Sequence, residues 1–136
     1  MKKYLVIGNP IEHSLSPKLH NYWIKENNVD AVYDKRQLNE SDIEEIINEL
    51  KKGRIDGINV TVPFKKSVIP FLDQLTTLAK EAQSVNTIFK KDNKVLGANT
   101  DVGGFEQSLE YIHYNVRNKK IFILDRKSTR LNSSHT

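Results

Sequence analysis

Ser14, Ser16, Asn59, Thr61, Lys65, Asn86 and Asp101 are the side chains in this sequence whose types and placement could do chemistry together. Each sits where an apolar strand-like run ends or a helix-like run begins. Hydroxyls and amides of this kind hydrogen-bond hydroxyl groups and a carboxylate, and a lysine with an aspartate can form an acid–base pair. Together they suit a small, polyhydroxylated, anionic molecule. Other chemistries find less support. With no cysteine, thiolate catalysis and a disulfide framework are excluded. His13, His20, His113 and His135 stand in no serine–acid context that would make a triad. His13 and His20 are separated by a loop and a helix start, a poor arrangement for a metal, and no metal site is expected.

The elements that must position these groups are legible in outline. Lys3-Tyr4-Leu5-Val6-Ile7 reads as a strand closed by Gly8-Asn9-Pro10. Ser16-Pro17 then starts a helix, with Ser16 as the N-cap and proline where no amide donor is missed. That helix is expected to run to about Asn27 or Asn28 and to bury Leu19 and Trp23. Its free N-terminal amides, approached by two serines, favour a carboxylate or phosphate. A second strand begins at Ala31-Val32-Tyr33. Ser41-x-x-Glu44 reads as a capping box, opening a helix that buries Ile43, Ile46, Ile47 and Leu50 and stops at Gly53.

In Gly57-Ile58-Asn59-Val60-Thr61-Val62-Pro63-Phe64-Lys65, apolar Ile58, Val60 and Val62 alternate with polar Asn59 and Thr61, and Pro63 ends the pairing. Helical pieces are expected over about 65–72 and 74–82, broken near Pro70, with Leu75, Leu78, Ala79 and Ala82 as a buried stripe. Strands at 85–89 and 94–97 form a hairpin about Lys91-Asp92-Asn93. A last helix opens at Asn99-Thr100-Asp101 and carries Val102, Phe105, Leu109 and Ile112 at helical spacing. Gly103-Gly104 in its first turn costs about 1 kcal/mol per glycine relative to alanine, which close approach of another chain or ligand would explain. Alternating strands and helices imply right-handed crossovers and a largely parallel sheet with one antiparallel member, and ligands of such sheets sit at the edge where the loops converge. A further strand is expected at 119–124.

With 38% hydrophobic and 28% charged residues, the composition is that of an ordinary globular domain. The net charge of +4 is spread among interspersed acidic residues, with no basic stripe, so no nucleic-acid partner is expected. No apolar run is long enough for a bilayer, and the N-terminus lacks the pattern of a signal peptide, which leaves a cytoplasmic location as the default and no membrane partner.

The segments Gly8-Asn9-Pro10-Ile11-Glu12-His13-Ser14-Leu15-Ser16-Pro17 with His20-Asn21, Asn59-Val60-Thr61-Val62-Pro63-Phe64-Lys65, Val85-Asn86-Thr87, and Gly97-Ala98-Asn99-Thr100-Asp101 with Gly104 resemble, in order and spacing, those of shikimate dehydrogenases. The resemblance covers about residues 3–124, the family's N-terminal, substrate-binding domain. It implies an α/β fold with a three-layer, open, mixed and mostly parallel sheet and helices on both faces. It also implies NADPH-dependent reduction of 3-dehydroshikimate to shikimate, on the route to chorismate and aromatic amino acids. By resemblance Ser14 and Ser16 bind the substrate carboxylate. Thr61, Asn86 and Asp101 contact ring hydroxyls or the reacting centre, with Asn59 nearby. Lys65 is the catalytic acid/base and Asp101 its partner.

The sequence departs from the family's pattern after Leu124. The glycine-rich turn that binds NADP in the family is missing, and Thr77 stands where relatives often carry an acidic residue near the cofactor. The expected organisation is a substrate-binding catalytic domain over 1–115, the start of a truncated NADP-binding Rossmann domain over 116–124, and a foreign or disordered tail over 125–136. Such a chain is expected to be a fragment unable to turn over alone. Two alternatives stand beside this reading: a relative that also uses quinate, and a non-catalytic module that binds shikimate-like acids. Oligomeric state is not legible.

Overall fold

The computed structural model describes residues 1–124. The chain runs β1 (Lys2–Gly8), α1 (Ser16–Glu26), β2 (Ala31–Gln37), a 3-10 turn (Glu40–Asp42), α2 (Ile43–Lys51), β3 (Gly57–Val60), a second 3-10 turn (Ile69–Phe71), β4 (Gln74–Leu75), α3 (Thr77–Ala82), β5 (Thr87–Lys91), β6 (Lys94–Ala98) and α4 (Asp101–Tyr111). The strands form one six-stranded sheet in the order β2-β1-β3-β5-β6-β4. Pairing is parallel between β1 and both β2 and β3, and between β4 and β6. It is antiparallel on both sides of β5. The expected mixed, mostly parallel α/β sheet is therefore what the chain forms.

Alternation along the strands sorts the two faces. Leu5, Ile7, Ile58, Val60 and Ile88 point to the face that carries α2, where Ile43, Ile46, Ile47 and Leu50 complete the main core. Burying each of these side chains stabilises the fold by about 1.5–3 kcal/mol. Tyr4, Val6 and Tyr33 point to the other face and pack with Ile11 and with Ile24 of α1 in a smaller cluster. Asn59 lies between Ile58 and Val60 and so faces α1 rather than α2. Gly53 adopts φ +78° just past α2, the left-handed conformation that closes a helix cheaply only when no side chain is present.

Several local expectations are corrected. Leu15, not Ser16, is the N-cap of α1, and the helix buries no residue fully. Leu19 and Trp23 are each 48% exposed. The inward stripe is Ser16, Pro17, His20, Asn21 and Ile24, all half-buried, so its members are mostly polar and hydrophobicity misplaced the face. The capping box lies on the 3-10 turn before α2, where the Asn39 N–H donates to the Asp42 carboxylate at 2.8 Å, and α2 itself starts at Ile43 without the expected Ser41–Glu44 box. Strand β3 ends at Val60. The Thr61 N–H still donates to the Ile7 carbonyl, but the Phe64 N–H then turns back onto Thr61, so Val62 leaves the pleat and is exposed.

The region after Lys65 forms turns and the 3-10 segment about Pro70 in place of a helix. Residues 74 and 75 pair with β6 at the sheet edge, which shortens the next helix to α3, capped by the Thr76 side chain. Of the stripe expected on that helix, Ala79 is buried, Leu75 is half-buried, and Leu78 and Ala82 are exposed. On α4, Phe105 and Ile112 are exposed, and a Cβ added at Gly103 or Gly104 would meet nothing within 4 Å, so no close approach among the described residues accounts for those glycines. Residues 119–124 form no strand and pair with none of the six described strands, and Ile121–Leu124 are exposed. The tail expected at 125–136 lies outside the described residues.

Candidate active site

The expected residues converge on one edge of the sheet. Ser14 and Ser16 follow β1, Thr61 and Lys65 follow β3, Asn86 precedes the antiparallel β5, and Asp101 follows β6. The strand order places β1, β3, β5 and β6 side by side, so these loops are neighbours.

At one end Lys65 Nζ donates to Asp101 Oδ2 at 2.8 Å, with side chains 34% and 53% exposed. Asp101 is held by the buried Asn99, whose Oδ1 accepts the N–H groups of Asp101 at 2.8 Å and Val102 at 3.2 Å, while its Nδ2 donates to the Ser84 carbonyl. Asn99 thereby does for α4 what an N-cap side chain does, satisfying two of its orphan donors. Asn86 ties the same corner to β5: its Nδ2 donates to Thr100 Oγ1 at 2.7 Å, and its Oδ1 accepts the Thr100 N–H at 2.9 Å and the Thr87 hydroxyl at 3.1 Å.

The network continues towards the serines. Asn59 Nδ2 donates to the Asn86 carbonyl and to Thr87 Oγ1, each at 3.2 Å, and Asn59 Oδ1 accepts the Tyr33 hydroxyl at 2.7 Å. Ser16 is a side-chain partner of that same phenol, and its N–H reaches Ser14 Oγ at 3.3 Å. Ser14 thus serves the entry of α1, while the Ser16 hydroxyl turns inward. Thr61 stands apart: its hydroxyl makes no hydrogen bond among the described residues. Its methyl group lies where a Cβ on Gly8 would come within 2.5 Å, so Gly8 is needed for close approach of β1 to the loop after β3.

Two titratable groups here are shifted. Burial pushes the Tyr33 phenol up to about 12, the hydrogen bond from Ser16 opposing, and burial lowers His20 below its usual 6.5. Spacing had grouped Asn99 with Asp101 where a helix opens, while Tyr33 had not been singled out. A tyrosine in a strand reads as core, whereas Asn99, two residues before Asp101, lay within a recognisable run. An open cavity of about 350 Å³ lies on the α1 face rather than over the ion pair. Apolar residues such as Tyr4, Ile24 and Phe89 line it, and Tyr33, Asn59 and Thr87 join it to the network. Among the described residues no three His, Asp or Glu side chains group to hold a metal, and no helix is long and apolar enough to cross a membrane.

An open α/β sheet with polar loops and an ion pair gathered at one edge is the architecture of a domain that binds small molecules. Comparison narrows the class. Residues 6–88 match the family described as the shikimate dehydrogenase substrate binding domain. A shikimate dehydrogenase (NADP(+)) of Pelagibacter ubique is 58% identical over 123 residues, covering 90% of this chain and 46% of that protein. The crystal structure of shikimate dehydrogenase 1 from Peptoclostridium difficile superposes with a TM-score of 0.79 at 30% identity, over 85% of this chain and 43% of that one. That of the Listeria monocytogenes shikimate 5-dehydrogenase in complex with shikimate and NAD gives a TM-score of 0.81 at 27% identity, over 85% of this chain and 40% of that one. The chain belongs to the shikimate dehydrogenase family, through its substrate-binding domain. It spans somewhat under half the length of the relatives it matches.

Proposed function

We propose that this chain is the substrate-holding part of an NADP-dependent shikimate dehydrogenase, which interconverts 3-dehydroshikimate and shikimate. The observation that carries the reading is the Lys65–Asp101 pair, 2.8 Å apart and joined through Asn86, Thr87, Asn59 and Tyr33 to Ser16. A cationic acid at one end and serine hydroxyls at the other match a ligand with a reacting carbonyl on one side of its ring and a carboxylate on the other. In this reading Ser14 and Ser16 take the carboxylate, and Thr61 and Asn86 meet ring hydroxyls.

NADPH supplies the hydride in that reaction, and the described residues do not fit it: no glycine-rich strand-to-helix turn stands among them to cradle a pyrophosphate. What this chain's own residues do is hold the acid, orient its ring and manage one proton. When the ketone carbon is reduced, its oxygen becomes an alkoxide, which Lys65 stabilises as an ammonium and protonates. Asp101 holds that ammonium in place. In the reverse direction the same amine takes the proton from the hydroxyl. The reading gives this chain alone ligand binding without turnover, and shikimate-dependent reduction of NADP by the purified 136-residue chain would contradict that.

The test of the assignment is kinetic. In an intact enzyme carrying this domain, Lys65→Ala is expected to lower kcat by about 10²-fold or more with a smaller change in KM, the scale of lost acid–base catalysis. Near-normal turnover would remove Lys65 from the role of proton donor.

A further inference from the structure

Tyr33 lies on β2, the strand at one edge of the sheet, yet it is only 4% exposed. Side chains of α1 hold both its backbone and its ring. The Asn21 side chain brackets its backbone as a neighbouring strand would, Nδ2 donating to the Tyr33 carbonyl at 2.8 Å and Oδ1 accepting the Tyr33 N–H at 3.0 Å. The His20 ring stacks on the phenol ring, centroids 4.2 Å apart and planes within 3°. Trp23 packs against the His20 ring in a T-shaped contact, centroids 5.3 Å apart. The phenol oxygen emerges from this clamp between two of the residues expected to meet substrate, donating to Asn59 Oδ1 at 2.7 Å and taking Ser16 as its other partner.

The consequence for Asn59 is specific. An asparagine amide has one acceptor and one donor end, and a rotation by 180° exchanges them. The Asn86 carbonyl can only accept and so takes Nδ2, which also reaches Thr87 Oγ1, and the Tyr33 hydroxyl is the donor that Oδ1 then needs. Asn59 is then fully committed within the protein, anchored between the Asn86 carbonyl and the Tyr33 phenol. Ser16, bound to the same oxygen, is held with its hydroxyl on the inner side of α1.

We propose that Tyr33, seated by His20 and Asn21, is a positioning residue that anchors the Asn59 amide against the Asn86 corner and holds Ser16. The role is one step removed from the ligand, and its effect on ligand affinity rests on the reading of the site given above. Asn59 is, on this account, a strut between β3 and the Asn86 corner rather than a ligand contact. The polar stripe on the inward side of α1 exists to hold the phenol.

Tyr33→Phe tests this, since it keeps the ring and removes only the oxygen. In ¹⁵N-labelled 136-residue chain, the Asn59 side-chain amide signals are expected to move from their wild-type positions in Tyr33→Phe, while those of Asn48 on α2 stay. Unmoved Asn59 signals would overturn the proposal without reference to any ligand. In calorimetric titration, shikimate affinity is expected to fall roughly five- to tenfold in Tyr33→Phe, the scale of one lost hydrogen bond. The double variant with Ser16→Ala should bind no more weakly than Ser16→Ala alone, because both changes remove the same anchor. Losses that multiply, or wild-type affinity in Tyr33→Phe, would reject the positioning role. A wild-type chain that binds no shikimate would count against the functional reading instead, leaving the amide signals to decide on Tyr33. Should Tyr33→Phe fail to fold, Asn21→Ala carries the test by releasing both backbone bonds at Tyr33. Moved Asn59 signals would support the proposal and unmoved ones would reject it.

Discussion

An ion pair as open to water as Lys65–Asp101 contributes little to stability, about 0–1 kcal/mol by the usual behaviour of exposed pairs. Its value must lie elsewhere if the pair is functional, and that separates two accounts of it. Asp101→Asn is expected to leave the urea midpoint nearly unchanged and, in an intact enzyme, to depress kcat; an unchanged kcat would make the pair a surface contact only. Tyr33 makes the opposite kind of contribution. Because the fold raises its phenol from 10.0 to about 12, the neutral form is favoured in the folded state. That stabilisation is complete below pH 10 and is lost as pH rises from 10 towards 12. Urea unfolding followed across that window should show a steeper loss in the wild type than in Tyr33→Phe. His20 acts on the acid side: burial favours its neutral form, so its contribution is present above pH 6.5 and lost as pH falls through its lowered folded value.

Among the elements, α2 was readable from sequence because nothing competes with its apolar stripe: Ile43, Ile46, Ile47 and Leu50 recur at helical spacing and are all buried. Helix α1 was readable in extent but not in facing. Its polar inward residues serve Tyr33 and the site, so a rule that sends Leu19 and Trp23 inward fails where polar residues are buried for a purpose. The segment after Lys65 failed for a different reason. Whether Gln74 and Leu75 extend a helix or complete a sheet edge depends on β6, which lies some twenty residues further along the chain. The gathering of the expected polar residues at one sheet edge was legible because their loops flank neighbouring strands, while Tyr33 was not, since a tyrosine beside valine in a strand carries no local sign of what its oxygen meets. Helix α4 offers a test at this scale. Asn99→Ala leaves two helix donors and the Ser84 carbonyl without partners and should cost about 1–3 kcal/mol in urea unfolding. Glu106→Ala, at an exposed position of the same helix whose side chain makes no hydrogen bond among the described residues, should cost clearly less. Equal losses would mean that Asn99 does not hold the start of the helix.

Over the described residues as a whole, the sheet divides its labour between faces. The α2 face carries the large aliphatic core, and its packing fixes the spacing of β1, β3 and β5. The α1 face carries few apolar contacts, the Tyr33–Asn59 connection and an open cavity. Rigidity on one side thus presents the polar edge formed by the loops after β1, β3 and β6. The account's central claim is that this edge is a shikimate site assembled within this chain. The most direct test is a titration of the ¹⁵N-labelled 136-residue chain with shikimate at millimolar concentration, followed residue by residue. The account predicts saturable shifts at Ser14, Ser16, Thr61, Lys65, Asn86 and Asp101, and none at Gly53 beyond α2. Shifts absent from those positions, or spread evenly over the surface, would contradict it.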